Sequence, residues 1–277
     1  MNVINYDKEM KKIAEAEKKQ KRFPTLLLHS CCAPCSSACI ERLKDYFDIT
    51  VYYYNPNIDT AEEYRLRAEE QERFCKEVGV KVIIEDRRES EFYAAAKGLE
   101  DAPEGGSRCE KCFNLRLGET AEYAKKNGYE YFATTLTVSP LKNSALINEL
   151  GIKIGEEKGV KYLPSDFKKG GGYYRSVELS KEDRDMDDAL SGDTGAEEGM
   201  VRLFINIGKS QRIRPGDILG AVAGEAKIPG KLVGAIDMYD NYTFVEVPQE
   251  YGKDVLRAMK NVKIKGKSVN VEPANAR

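Results

Sequence analysis

Two hydrophobic periods alternate along residues 1–181 of the chain. "TLLLHS" (Thr25–Ser30) is a short, continuous apolar run closed by polar residues, the pattern of a buried strand. "PCSSACIERLKDY" follows with helical spacing, Pro34, Ser36 and Ser37 lying near its start. "DITVYYYNPNI" predicts a second strand, stopped by Asn55-Pro56-Asn57. "TAEEYRLRAEEQERFCKEVG" predicts a helix closed by Gly79, and "VKVIIED" a third strand. "NLRLGETAEYAKKNG" reads as a helix, "YEYFATTLTVS" as a strand, "SALINELGIKIGEEKG" as a helix and "VKYLPSD" as a strand. Residues 1–23 predict a charged helix with a solvated face. Strands alternating with helices imply α/β architecture, a parallel sheet covered on both faces. Such sheets carry their sites at the carboxyl ends of the strands, where Cys31 and Cys32 fall.

The pattern then breaks. Residues 182–199, "EDRDMDDALSGDTGAEEG", hold 8 acids and one Arg with few large apolar groups. That composition buries too little to offset ordering entropy, so a disordered acidic linker is expected. From Met200 onward there are 13 Lys/Arg against 8 Asp/Glu, a net of +5 in a chain of net −2. "VRLFINI", "KLVGAIDMYD", "YTFVEVP" and "VKIKGKSVNVEPA" read as strands, "RPGDILGAVAGEA" and "YGKDVLRAMKN" as helices. The order βαββαβ is a split βαβ, the layout of RNA-recognition domains. The expected division is an α/β domain over 1–181, a linker over 182–199 and an RRM-like α+β domain over 200–277.

Composition narrows the chemistry. No run approaches the ~20 apolar residues of a membrane span. The charged N-terminus has no apolar core of a secretory signal, so a reducing, cytoplasmic setting is expected. Clustered cysteines there are metal ligands or redox groups more often than structural staples. Cys31 and Cys32 are adjacent, and Cys109-x-x-Cys112 forms a second group that opens a helix after a glycine-containing loop. Four thiolates hold zinc or an iron–sulfur cluster, or act as metal-free dithiols. Neighbouring side chains in extended backbone diverge, which suits several separated irons better than one tetrahedral ion. His29 is the only histidine, so His-rich metal sites are excluded; a hydrogen-bonded core residue is expected there. Cys35, at a helix start, is a candidate redox thiol or extra ligand; Cys39 and Cys75 read as packing. "GKS" at Gly208–Ser210 and Gly266–Ser268 is not a phosphate loop, because Leu203 and Asn261 stand where glycine is required.

These pieces carry a resemblance. "LLLHSCCAPCSS", "YYYNPNI", "EYRLRAEEQERFC", "SRCEKCFNLRLGETAEYAKKNGYEYFATTLTVSPLKN" and "GVKYLPSDFKKGGGYYRSVELSKE" resemble the epoxyqueuosine reductases of the QueH type over roughly residues 5–182. The resemblance implies an adenine-nucleotide-hydrolase-like fold and reduction of epoxyqueuosine to queuosine in tRNA. It also implies a 4Fe–4S cluster on Cys31, Cys32, Cys109 and Cys112. Removing an epoxide oxygen takes two electrons and two protons, and no side chain supplies such electrons. Asp166 is then a candidate proton donor or ligand of a second iron, and Cys35 a candidate catalytic thiol. Arg108, Arg116, Lys142 and Arg175 are candidates for holding anticodon phosphates.

One departure stands out. The family continues into a segment with a redox-active cysteine pair, whereas no cysteine follows Cys112 in this chain. The competing expectation is a catalytically impaired RNA-binding fusion. The electron donor is unspecified by the sequence. "MVRLFINIGKSQRIRPGDILGAVAGEAKIPGKLVGAIDMYDNYTFVEVP" resembles the C-terminal RNA-binding domain of DbpA/CsdA-type DEAD-box helicases, over about residues 199–274. It implies structured RNA as a ligand, with Arg202, Lys209, Arg212 and Arg214 as phosphate contacts. Phe204 and Phe244 fall where bases stack in RNA-recognition sheets, or where strand alternation turns them into the core.

Overall fold

The computed structural model describes residues 4–191, 196–197 and 199–274. The chain separates into two compact units, Met1–Ser180 and Lys181–Arg277. The first is built from α1 (Tyr6–Lys19), β1 (Thr25–Ser30), α2 (Ala33–Leu43), β2 (Asp48–Tyr53), α3 (Ala61–Glu77), β3 (Lys81–Ile84), α4 (Glu89–Ala96), α5 (Ser107–Lys126), β4 (Tyr131–Thr134), α6 (Ser144–Lys158) and β5 (Lys161–Tyr162). Helix α7 (Gly172–Ser191) follows.

Its five strands lie in the order β3-β2-β1-β4-β5, every pair parallel. The strands β1, β2 and β4 are buried on both faces, which explains their near-continuous apolar runs. Leu26 and Leu28 of β1 pack with Met10 and Ala14 of α1 and with Cys39, Ile40 and Leu43 of α2. Leu27, pointing the other way, packs with Phe113 and Leu117 of α5 and with Ile147 and Ile154 of α6. The close approach of α6 to the sheet depends on Gly155, where a Cβ would stand 2.8 Å from the Val160 carbonyl oxygen.

Several expectations give way. Helix α1 is not merely a solvated face: Tyr6, Met10, Ala14 and Glu17 form one buried stripe at helical spacing. Glu17 is kept inside by the Tyr131 hydroxyl, which donates to it across 2.6 Å. Strand β4 ends at Thr134, and Thr135–Val138 turn into a 3-10 helix because Thr134 Oγ1 accepts the Leu136 N–H (3.1 Å). Helix α4 carries no clear apolar period and was not legible. The acidic stretch is not disordered throughout: residues 182–191 continue α7. A helix already nucleated gains one hydrogen bond for each residue it fixes, so it extends at little net free-energy cost. The rest of the expected linker, 192–195 and 198, lies outside the described residues.

The second unit contains β6 (Met200–Ile205), α8 (Pro215–Glu225), β7 (Ile236–Met238), β8 (Thr243–Pro248), α9 (Gly252–Ala258), the hairpin β9 (Lys263–Ile264) and β10 (Lys267–Ser268), and β11 (Val271–Pro273). Its antiparallel sheet runs β11-β6-β8-β7. The terminal segment expected as one strand is broken at Lys265 and Gly266, both with positive φ, into the hairpin and β11. Val201, Leu203, Ile205, Val245 and Val247 face a core completed by Ile218 and Val222 of α8 and by Val255 and Leu256 of α9. No described helix is long and apolar enough to cross a membrane.

Candidate functional site

Strands β1 and β4 flank the point where the sheet order reverses, which is where doubly wound sheets open a crevice. The chain bends at Cys31 immediately after β1, and Cys32 is the extended residue (φ −175°, ψ 162°) that precedes α2. Pro34 needs no N–H partner in the first helical turn. The bend turns the two neighbouring thiols together: their Sγ atoms stand 3.9 Å apart. The Cys35 Sγ joins them, all three lying within 4.8 Å of one another. Among the described residues this is the one such group of metal-ligating side chains. Thr135 Oγ1, at the end of β4, is 3.7 Å from the Cys31 sulfur.

The three sulfurs are linked through their thiol hydrogen bonds. Hydrogen bonds from the Cys32 and Cys35 thiols keep the Cys31 pKa well below the ordinary thiol value; Arg116 and Lys142 add to the effect. Cys32, which donates to Cys31, is pushed up to about 12, and Cys35 is raised for the same reason. Cys39 is fully buried and its Sγ lies 3.2 Å from the Cys35 carbonyl oxygen; burial raises its pKa, so it stands as packing.

Buried polar groups fix this loop from beneath. Ser30 Oγ lies 2.7 Å from Gln71 Oε1 and 3.1 Å from the Cys32 carbonyl oxygen. The Gln71 amide nitrogen donates to Ser36 Oγ (3.0 Å) and Cys75 Sγ (3.2 Å), so α3 braces both ends of the cysteine turn. Asn55 Nδ2 donates to the Ser30 carbonyl at 2.9 Å. His29 is fully buried as expected, with Nδ1 2.9 Å from Thr134 Oγ1 and Nε2 3.3 Å from the Arg116 Nε that donates to it. Burial, with Arg116 next, lowers its pKa to about 3, so the imidazole is neutral. Ser30, Gln71, Asn55 and Thr135 lie inside the quoted segments but have no metal-ligating or redox chemistry, so the sequence did not mark them as site residues.

Cys109 and Cys112 stand in the first turns of α5, outside the three-sulfur group. Cys109 Sγ accepts the Gly105 N–H at 3.3 Å and packs, like Cys31, against the cluster around Tyr54 and Phe113. Cys112 is buried, and Arg116, one turn later on the same helix face, reaches His29 and Asn55. The face of α5 bearing Cys112 is thus turned toward the ends of β1 and β2. Sulfurs that bind different irons of a cluster need not crowd as tightly as ligands of one ion.

The family model described as "Epoxyqueuosine reductase QueH" matches residues 26–185. The chain belongs to the epoxyqueuosine reductase QueH family. QueH of Streptococcus pyogenes serotype M1 is 44% identical over 185 residues, which is 65% of this chain and 72% of that protein. QueH of Staphylococcus epidermidis is 46% identical over 184 residues, 64% of this chain and 77% of the relative. Among solved structures, a predicted subunit of tRNA methyltransferase from Methanocaldococcus jannaschii superposes with a TM-score of 0.37 at 20% identity, covering 57% of this chain and 76% of the other. Family membership makes the chain an oxidoreductase of tRNA modification. The model described as "DbpA RNA binding domain" matches residues 202–273.

The other expected site residues of this QueH-family chain are dispersed. Asp166 follows β5, is buried, and has an Oδ1 without a hydrogen-bond partner, though Lys168 and Lys169 nitrogens each lie 3.7 Å from the carboxylate. Asn148 holds the preceding Ser165 through both main-chain groups at 2.8 Å. Arg116, expected as a surface phosphate contact, is only 3% exposed and is committed inside. Arg108 donates to the Glu100 carbonyl oxygen, and Arg175 pairs with Glu41 and Glu178. The side chain of Lys142 is half-buried, and its charge acts on both Cys31 and His29.

In the second unit the strand alternation resolves the aromatic question. Phe204 and Phe244 are direct cross-strand partners on the face away from the core. Tyr242 stacks on Phe204 (centroids 5.7 Å, 30°) and Tyr239 on Tyr242 (4.7 Å, 21°), making a continuous four-ring surface of which the sequence singled out only Phe204 and Phe244. Arg202 lies 4.9 Å over the Phe244 ring and pairs with Asp237 and Glu246. Lys209, Arg212 and Arg214 are exposed in the loop after β6 and have no ion-pair partner among the described residues.

Proposed function

We propose that this chain reduces the epoxide of epoxyqueuosine in tRNA to the alkene of queuosine, using an iron–sulfur centre held by Cys31, Cys32, Cys109 and Cys112. The observation that carries it is the convergence of the free Cys31, Cys32 and Cys35 thiols at the switch point of a QueH-family sheet. The donor set fits: soft thiolates select iron–sulfur centres over hard cations, and a buried guanidinium beside them suits an anionic group. Such a centre, when bound, supplies low-potential electrons. The overall change consumes two electrons and two protons and releases the oxygen as water.

The chain's own residues then orient and protonate. Thr135, 3.7 Å from the Cys31 sulfur, and the half-buried Lys142, whose charge acts on Cys31, are the proposed donors to a developing alkoxide. Asp166, whose Oδ1 lacks a hydrogen-bond partner, is the proposed proton donor, or the ligand of a second iron. Cys35 is the proposed additional thiol, since Cys39 is withdrawn into packing. Seven unpaired cysteines suit a reducing cytoplasm. In the second unit, the four rings of Phe204, Tyr239, Tyr242 and Phe244 are proposed to stack bases of structured RNA, with Lys209, Arg212 and Arg214 on phosphates.

Anaerobic reconstitution with iron and sulfide is expected to give about four irons per chain. Single turnover on epoxyqueuosine-containing tRNA with a chemical reductant is expected to give queuosine. The second reading, a catalytically impaired RNA-binding fusion, is favoured by the absence of any cysteine after Cys112. An intact centre that yields no product would establish it.

A further inference from the structure

The most deeply buried guanidinium of the first unit has no carboxylate partner among the described residues. Arg116 is 3% exposed, and a guanidinium does not give up its proton in a protein. Neither of its hydrogen-bond partners is an acid: Nε donates to His29 Nε2 at 3.3 Å and Nη2 to Asn55 Oδ1 at 2.5 Å. Nη1 makes no hydrogen bond, and no carboxylate pairs with the group, among the described residues. Glu119, on the next turn of α5, pairs with Arg88 instead. An isolated buried charge is strongly unfavourable unless an opposite charge joins it.

The position of Arg116 says what that charge belongs to. Cys112 lies one helical turn before it, and Cys31 lies two residues beyond its acceptor His29. It is therefore bracketed by the two cysteine groups rather than turned to the surface. Resting on the iron–sulfur reading above, we propose that Arg116 is a positioning residue for the metal–thiolate centre: its fixed positive charge offsets the net negative charge of thiolate-held iron and makes electron uptake easier. His29 and Asn55 aim the guanidinium, and neither brings a carboxylate to it. A carboxylate at either place would cancel it.

The test uses the full chain, reconstituted anaerobically with ferrous iron and sulfide, as wild type, Arg116→Met and Arg116→Lys. Arg116→Met is expected to lower the midpoint potential of the centre. It is also expected to speed iron loss to a chelator by about tenfold or more, the usual effect of removing an outer partner of a metal ligand. Arg116→Lys, which keeps the charge, is expected to retain most of the potential. Without metal, Arg116→Met is expected to melt at or above the wild-type temperature, because an uncompensated charge has been removed; a merely structural arginine predicts a lower one. Unchanged potential and iron retention in Arg116→Met overturn the proposal, as does equal loss in the Met and Lys variants. A raised KM for tRNA with an unchanged centre would assign the charge to a substrate phosphate instead. A wild-type chain that takes up no iron removes the iron–sulfur reading itself along with this one; normal uptake with an unaltered potential removes this one alone.

Discussion

The Sγ atoms of Cys31 and Cys32, adjacent in the chain, stand 3.9 Å apart at the carboxyl end of β1, with Cys35 completing the group. Replacing Cys31 or Cys32 by Ser is expected to abolish iron retention on reconstitution, because each removes a thiolate from the donor set. Cys39→Ala, only one helical turn beyond Cys35, is expected to keep full iron content, since Cys39 is buried packing. Iron and sulfide analysis of the three variants checks the distinction; equal loss in all three would count against the site as drawn.

Gln71 of α3 braces the cysteine turn through Ser30 and Ser36 and is itself held by Cys75 of the same helix. Gln71→Leu keeps the volume but removes the N–H donated to Ser36 Oγ and Cys75 Sγ, and leaves the Ser30 and Ser36 hydroxyls only the Cys32 and Ala33 carbonyl oxygens. A buried polar group left unsatisfied costs about 1–3 kcal/mol. Chemical denaturation should record a loss of that size, and the variant should bind iron more weakly than wild type. A neutral effect on both would mean that the turn is held by its helix alone.

Asp7 ties α1 to α2: Arg42 and Lys11 both donate to its carboxylate. Burial alone would raise its pKa, but those two cations outweigh burial and hold it below the unfolded value of 3.8. The stabilisation is therefore present above pH 3.8 and is lost as pH falls through the lowered folded value. Asp7→Asn is expected to cost about 1–3 kcal/mol at neutral pH, leaving Arg42 half-buried without its anion. The gap from wild type should stay constant down to pH 3.8 and narrow below it. Denaturation midpoints across that range measure it.

RNA binding by the second unit divides into stacking and charge. Tyr242→Ala or Phe204→Ala is expected to weaken binding to structured RNA by about 1–3 kcal/mol, the worth of one stacked base. Arg212→Ala or Arg214→Ala should instead reduce the slope of log affinity against log salt by about 1. Binding that ignores salt, or survives loss of the rings unchanged, would refute the assignment of this face.

Much of the architecture could be read before any coordinates. The buried strand Thr25–Ser30, the helix closed at Gly79 and the βαββαβ order of the C-terminal unit carry local signals of period and punctuation, and these dominate where each element packs as its own sequence prefers. Helix α4 and the helical course of residues 182–191 were not legible, since neither bears an apolar stripe. The candidate cysteines were visible as residue types at a spacing. Gln71 and Asn55, which support them, look like any other amide in a helix or a turn.

The sequence by itself determined which side chains have the chemistry: seven thiols, one histidine and a basic C-terminal segment. Only the tertiary structure decided their roles, because roles depend on distance and burial between segments far apart in the chain. It joined Cys35 to Cys31 and Cys32, withdrew Cys39, and turned Phe204 and Phe244 outward beside Tyr239 and Tyr242. It also carried Arg116 from an expected surface contact to a buried place 87 positions along the chain from His29. A charge is worth little in water and a great deal out of it, and no local pattern of residues records on which side of that boundary a side chain will lie.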